Sequence, residues 1–98
     1  MQQMAVDGNS IVKIDYNSAD LPFSVREFRP TVYKDRDGYN CLLGPDPEAG
    51  IFGTGVSIRQ AVNDWDRSFS ERLQRADPDD EVVQYIRDTR ATHKKDVW

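Results

Sequence analysis

Apolar and polar residues alternate early in the chain, as they do in strands that bury one face. The segment 10–16 places apolar residues on either side of Lys13 and Asp15, which predicts a first strand. Residues 21–23 are interpreted as a connecting arm, because the central proline has no N–H to offer a strand ladder. Residues 1–9 carry no periodic apolar face and are expected to be flexible.

A β-hairpin is predicted in the middle of the chain. Apolar residues from Val25 lead toward Asp37-Gly38 and resume at Tyr39. We expect Asp37 and Gly38 to form the turn, because glycine adopts positive φ without a Cβ clash and aspartate tolerates that region. Pro30 would lie near the start of the incoming strand, where a missing N–H costs least at a sheet edge or a solvent-facing position.

A loop and a short strand follow the hairpin. Residues 44–50 contain two prolines and two glycines, a composition typical of a loop. Residues 51–56 predict a strand in which Gly53 and Gly55 indicate either a bulge or the close approach of another backbone.

Two helices complete the pattern. Ser57 is a predicted N-cap, and Gln60 three residues later completes a capping box, so a helix should begin at the residue after the cap. Apolar positions recur at spacings of three and four beyond this point, giving a predicted helix at 57–75. Asp77 followed by proline is a second start signal and predicts a helix over 78–91.

Together these elements predict an α+β domain with a three- or four-stranded antiparallel sheet packed against one amphipathic helix, plus a C-terminal helix. The predicted organisation is a flexible N-terminus at 1–9, the α+β domain at 10–76, and a C-terminal helix and tail at 77–98. The residues expected in the core are Ile14, Val32, Leu42, Phe52, Val62, Trp65 and Phe69.

Composition and charge narrow the possible functions. The chain carries 13 Lys and Arg against 17 Asp and Glu, a net charge of −4, which disfavours nucleic-acid binding because that usually needs a basic patch. The acidic residues at 77–81 and the basic residues at 87–95 fit the dipole of one helix. No apolar run has the length of a membrane helix or a signal segment, so we expect a cytoplasmic protein. Cys41 is the only cysteine, which excludes an intramolecular disulfide.

The sequence contains no constellation that indicates an enzyme. His93 is the sole histidine and lies in a polar tail, where no packed scaffold would hold it against a nucleophile. The segment 35–38 resembles the start of a calcium loop but lacks the further oxygen ligands and the bidentate glutamate of an EF-hand. We therefore expect no catalytic residue, no metal site and no cofactor.

Several short motifs follow one another between Phe28 and Leu73. They are Phe28-Arg29-Pro30-Thr31-Val32, Asp37-Gly38-Tyr39, residues 43–51, Gly53-Thr54-Gly55 and Ser57-Ile58-Arg59-Gln60-Ala61. In this order they resemble the HicB-like antitoxin domain. That family has a strand, a Gly-Tyr hairpin, a Pro-Asp-x-Pro-Gly-like loop, a glycine-containing strand and a Ser- or Thr-capped helix that opens with Glu-Glu-Ala. Here Gln60-Ala61 stands in place of Glu-Ala, and the loop is two residues longer.

The resemblance implies a partial ribonuclease-H-like sheet packed with a helix and lacking an active nuclease site. Such a domain usually binds and blocks a small HicA-type ribonuclease toxin, so a small basic protein is the expected partner. Acidity would speed that association by electrostatic steering. No helix-turn-helix or ribbon-helix-helix segment follows Leu73, so direct DNA binding is not expected.

Two functions from different classes stay open. The first is a non-catalytic, antitoxin-type binding module. The second is a small-ligand or nucleotide-binding oligomer, in which the Gly53–Gly55 strand and Arg59 hold an anion near the start of the first predicted helix. A homo-oligomer is compatible with both. The candidate contact residues are Tyr33, Tyr39, Phe52, Thr54 and Arg59.

Overall fold

Within residues 3–75 and 77–96, which the computed structural model describes, the chain forms one antiparallel sheet and three helices. Their order is α1 (Phe23–Phe28), β1 (Thr31–Asp35), β2 (Gly38–Leu43), β3 (Ile51–Gly55), α2 (Ile58–Arg75) and α3 (Glu81–Asp96). Side-chain surroundings are described as far as residue 92. The strands lie in the order β1-β2-β3. The α+β class with a three-stranded antiparallel sheet is therefore confirmed.

The core lies between the sheet and α2. Alternate strand residues face this helix, which buries its own residues at helical spacing: Ala61, Val62, Trp65 and Phe69. The indole Nε1 of Trp65 donates to the Ile51 C=O at 3.0 Å, so the one polar atom of that ring is satisfied. Of the residues expected in the core, five are buried, whereas Ile14 and Phe52 are partly exposed.

Gly53 and Gly55 let β3 approach α2 more closely than a strand with side chains there could. A Cβ added at Gly53 would lie 2.2 Å from the backbone N of Trp65, and one at Gly55 would lie 2.4 Å from Gln60 Cβ. Of the two predicted reasons for these glycines, the close approach of another backbone is therefore the one observed.

The helix α2 begins where the sequence predicts. Ser57 Oγ accepts the Gln60 N–H at 3.1 Å, and Gln60 Oε1 accepts the Val56 N–H at 3.0 Å. This is a capping box whose return bond reaches one residue before the cap.

The hairpin is present, but its turn is Arg36-Asp37 and not Asp37-Gly38. Asp35 pairs with Gly38 across the turn, and Gly38 does not adopt positive φ. Gly38 is required for a different reason, since a Cβ there would lie 2.3 Å from the Gly55 carbonyl oxygen.

The predicted strand at 10–16 does not form. Only Ile11 bridges to β1, at Tyr33, with a backbone hydrogen bond on either side. Continued pairing would bring Ile14 opposite Pro30, which has no N–H, so the ladder ends. The Tyr16 hydroxyl instead donates to the Pro30 C=O at 2.6 Å.

Residues Phe23–Phe28 form α1, although the apolar residues from Val25 were expected to lead directly into the hairpin. Val25 and Phe28 are three apart, a helical spacing, and both are buried. The helix ends at Arg29, whose φ of 50° lies in the left-handed region. The α region is disfavoured for a residue before proline, and Pro30 follows directly.

The second predicted helix is α3, which spans Glu81–Asp96 and not 78–91. Asp80 is its cap, because Asp80 Oδ1 accepts the N–H groups of Val82 and Val83 at 3.0 and 3.2 Å. Asp77 Oδ1 accepts the Asp79 N–H at 2.9 Å, so Asp77 opens a turn before the helix.

Apolar and ionic contacts dock α3 on the rest of the chain, and Val82, Val83 and Ile86 are its buried apolar residues. Arg90 Nη2 donates to Glu27 Oε1 at 3.0 Å, and its guanidinium lies 5.7 Å from the ring centre of Phe28 and 5.4 Å from that of Phe69. None of the helices in the described part of the chain combines the length and apolar character of a membrane-spanning segment.

Within the stretch 1–9, for which the sequence predicts flexibility, the described residues contact the sheet. Gln3 Nε2 donates to Thr31 Oγ1 at 3.1 Å and to the Leu42 C=O at 3.0 Å, and the Met4 N–H donates to the Gly44 C=O at 2.9 Å. Leu42 is fully buried here, on the side of the sheet away from α2.

The substitution Gly53→Ala should lower the free energy of unfolding by about 2–3 kcal/mol, because the added methyl group overlaps the α2 backbone. Gly8→Ala is the matched control: no heavy atom lies within 4 Å of a Cβ there, and the change should stay within about 0.5 kcal/mol. Urea unfolding of the two variants measures both values, and equal stabilities would contradict the packing described.

Candidate functional site

Three of the five candidate residues lie on the outer face of the sheet, the face turned away from α2. Strand alternation and register place Tyr33, Phe52 and Thr54 there. Tyr33 and Thr54 both pair with Asn40, so these three residues form one row across the three strands. Gln3 lies against the other end of this face, which leaves the row as its open part.

Hydrogen bonds join this row to the hairpin turn. Thr54 Oγ1 donates to Asn40 Oδ1 at 2.9 Å, and Asn40 Nδ2 donates to Asp35 Oδ2 at 3.3 Å. Asn40 is 8% exposed, so this pairing removes the cost of burying its amide. Partial burial raises the pKa of Tyr33, whose hydroxyl therefore stays protonated at neutral pH. The row presents a fixed set of polar groups.

A cavity of about 450 Å³ opens beside this row, between the hairpin turn, the end of β3 and the start of α2. We call it the hairpin cavity, and its lining residues are Asp35, Arg36, Asp37, Gly38, Tyr39, Asn40, Thr54, Gly55, Val56 and Gln60. The carboxylates of Asp35 and Asp37 line it, and Arg36 is the one cationic residue in the lining. Its charge therefore favours a positively charged side chain over an anion.

The other two candidate residues lie elsewhere. Tyr39 is on the face of β2 turned toward α2 and packs against the core, although it also reaches the hairpin cavity. Arg59 is exposed on the first turn of α2 and lines a separate cavity of about 400 Å³ with Asp20 and Leu21. The five residues therefore do not form one site.

The residues of the alternative anion site are not brought together. Thr54 and Gly55 line the hairpin cavity, whereas Arg59 lines the other cavity beside Asp20. Gly53 and Gly55 pack β3 against α2, and both pair with β2.

The free edge of β3 carries an acidic cap that the sequence did not suggest. The Thr54 N–H donates to Asp64 Oδ2 at 3.0 Å, and Arg67 Nη2 donates to Asp64 Oδ1 at 2.6 Å. Partial burial acts to raise the pKa of Asp64, but the hydrogen bonds from Arg67 and Thr54 outweigh it and lower that pKa. The carboxylate is therefore charged at neutral pH and holds one edge amide.

The acidic residues at 77–81 have two roles: one forms an ion pair within the fold, and the others line a cavity. Asp80 is paired with Arg72, whose Nε and Nη2 donate to the two carboxylate oxygens, and Arg72 Nη1 donates to the Gly50 C=O at 2.8 Å. Asp77, Asp79 and Glu81 line a cavity of about 480 Å³ with these two residues. Arg72 thus ties the end of α2 to the cap of α3 and to the loop before β3.

Few groups with catalytic or metal-binding chemistry meet in the described chain. Among those residues, no three His, Cys, Asp or Glu side chains gather as metal ligands would. Burial raises the pKa of the Cys41 thiol far above its ordinary value, which keeps it protonated and unreactive. The side chain of His93 and the whole of Trp98 lie outside the described residues.

Sequence reasoning missed Asn40, Asp64 and Arg72. Asn40 could have been found, because asparagine is unfavourable in a strand, and its presence there indicates a hydrogen bond to its side-chain amide. Asp64 and Arg72 lie on the polar side of an amphipathic helix, where solvated charges are usual. Only the folded chain shows what each of them contacts.

Comparisons of the chain with models of protein families, with curated proteins and with solved structures found no match. The resemblance to the HicB-like domain therefore stays a prediction from the sequence.

The substitution Asp80→Asn should lower the free energy of unfolding by about 2–3 kcal/mol at neutral pH, because Arg72 loses its anionic partner while the cap oxygen is kept. Burial acts to raise the pKa of Asp80, yet hydrogen bonds from Arg72 and from the first turn of α3 lower it below the ordinary value. The carboxylate of Asp80 therefore stabilises the fold fully above the ordinary aspartate pKa of about 4. This stabilisation is lost as the pH falls through the lower pKa of the folded state.

The stability difference between the wild-type chain and Asp80→Asn should therefore shrink in acid, which urea unfolding at neutral and acidic pH measures. Asp79→Asn, in the same turn but exposed, is the control and should change stability little at either pH. A difference that stays constant with pH would contradict the Arg72 pairing.

Proposed function

We propose that this chain is a non-catalytic HicB-like binding module of the antitoxin type, which binds a small basic ribonuclease and blocks it. The observation that carries the proposal is the open row Tyr33–Asn40–Thr54 with the carboxylate-lined hairpin cavity beside it. Hydrogen bonds hold Thr54 and Asn40 in place, so binding a protein to the row would require little ordering.

The order of elements supports the same proposal. A hairpin, a glycine-containing strand and a Ser-capped helix follow one another in the structure as they do in the domain that the sequence resembles. Gly53 and Gly55 have a packing role here, which explains why such a strand would need them without any ligand.

Charge supports a basic partner. The chain has a net charge of −4, and Asp35 and Asp37 lie where the open row meets the hairpin turn. Opposite charges on the two partners speed association and orient the encounter. A nucleic acid, with its regular negative charge, is disfavoured by the same balance.

The first test uses the tagged chain in an extract of its native cells, at low and then moderate salt. Small basic proteins that are retained at low salt are produced in pure form and assayed for cleavage of RNA with increasing amounts of the chain. We expect one of them to lose its ribonuclease activity at about equimolar chain. If no retained protein cleaves RNA, or if cleavage persists in excess chain, the proposal is wrong.

The substitution Thr54→Lys tests the surface itself. It places a cation in the open row, so binding of the basic ribonuclease should weaken at least about tenfold through like-charge repulsion. Thr92→Lys adds the same charge on an exposed position of α3 and is the matched control. Equal affinities of the two variants, measured by titration calorimetry, would show that the partner binds elsewhere.

A further inference from the structure

The two edges of the sheet differ. On β1, the segment around Ile11 covers the edge: the Lys34 N–H donates to the Ser10 C=O at 2.7 Å, and the Val12 N–H donates to the Val32 C=O at 2.8 Å. On the other side, β3 pairs with β2 and with no second strand in the described part of the chain. The edge of β3 is therefore the one at which a strand could be added.

Strand geometry identifies the backbone groups that this edge presents. The Thr54 N–H points away from β2, because it donates to Asp64. Outward and inward groups alternate along an antiparallel strand, so the N–H and C=O of Phe52, two residues earlier, also point outward. Within residues 3–75 and 77–96, no partner is found for either Phe52 group.

The hairpin cavity lies at the end of β3, and Thr54 of this edge strand is one of its lining residues. A residue added opposite Thr54 in an antiparallel strand would direct its side chain to the face that Thr54 occupies. That side chain would cross Thr54 toward Asp35, whose carboxylate already reaches Asn40 on β2. A long cationic side chain is the type that fits this path and this charge.

We infer that β3 binds an extended, basic segment of the partner by antiparallel strand addition, with a Lys or Arg side chain of that segment in the hairpin cavity. The inference rests on the proposed function and specifies how the partner is held. The segment residue opposite Phe52 exchanges two backbone hydrogen bonds with it, and the residue opposite Thr54 donates one to the Thr54 C=O. The C=O of the residue opposite Thr54 takes the Thr54 N–H in place of Asp64, which stays paired with Arg67, so the pairing forms four backbone hydrogen bonds at the cost of the Asp64 bond.

The probe is a synthetic peptide of alternating arginine and valine, as long as β3, added to the full chain. We expect amide shifts centred on Phe52 and Thr54 in NMR spectra, and slower hydrogen exchange of the Phe52 amide. The same peptide with glutamate in place of arginine should not bind, because it meets Asp35 and Asp37 with like charge.

Methylation of the peptide backbone tests the pairing without altering the chain. The residues opposite Phe52 and Thr54 carry the arginine side chains, so N-methylation of the arginine amides should abolish binding. N-methylation of the valine amides, which point away from β3, should leave the affinity unchanged within about threefold.

A pair of variants tests the edge from the side of the chain. Phe52→Pro removes the outward N–H and leaves the β2 ladder, whereas Phe52→Ala removes the ring and keeps the N–H. Phe52→Pro should bind the arginine peptide about tenfold more weakly than Phe52→Ala. Circular dichroism shows whether both fold, and the methylated peptides decide the question if Phe52→Pro does not.

Several results would overturn the inference. They are no shift at Phe52, equal binding of the arginine and glutamate peptides, and equal effects of the two methylation patterns. Protection of the Phe52 amide that rises with chain concentration alone would show that a second copy occupies the edge. If Phe52→Pro and Phe52→Ala neutralise the ribonuclease equally, the proposed function stands and strand addition is wrong; if no ribonuclease is neutralised, the proposed function itself fails.

Discussion

The contact between β3 and α2 is the constraint on which the rest of the structure depends. At Gly53 the strand lies so close to Trp65 that even a methyl group has no room, and the indole N–H is bonded to the same strand. This separation fixes the depth at which the helix lies on the sheet, and with it the volume that Phe69 and the other core side chains must fill. A packed interior does not deform continuously, so the sheet and α2 form one rigid unit.

The helices outside this unit bury apolar side chains in the same core, and charged side chains join them to it at its margins. Arg72 joins the end of α2 to the α3 cap and to the loop before β3, and Arg90 joins α3 to Glu27 of α1 across two aromatic rings. Each guanidinium contacts partners from different elements, which a lysine could not reproduce because it lacks the planar array of donors. The apolar face of α3, with Val82, Val83 and Ile86 buried, docks it together with these pairs.

The periodicity of apolar residues predicted the elements that bury one face against the core, because burial of one face produces that periodicity. The hairpin, β3 and α2 are in this class, and the Ser57 cap located the start of α2. The errors come from contacts between distant parts of the chain. Pro30 ends the pairing of the first segment. Asp80, which Arg72 of α2 binds, is the cap of α3, and Asp77 opens the turn before it. For the site, the outer-face residues were found by alternation, whereas the edge cap needed the fold, since nothing in the sequence relates Asp64 to Thr54.

The same glycines that set the packing also shape the surface that remains open. Because α2 covers one face of the sheet so closely, its polar side lies along the β3 edge and brings Asp64 to the edge backbone. That carboxylate satisfies one outward amide and leaves the Phe52 groups two residues away. An edge capped throughout would resist pairing, and an edge without a cap would pair in any register. A single cap makes pairing at Thr54 costlier than at Phe52, and the carboxylates of the hairpin cavity favour a cation, which are the two features that the proposed strand addition uses.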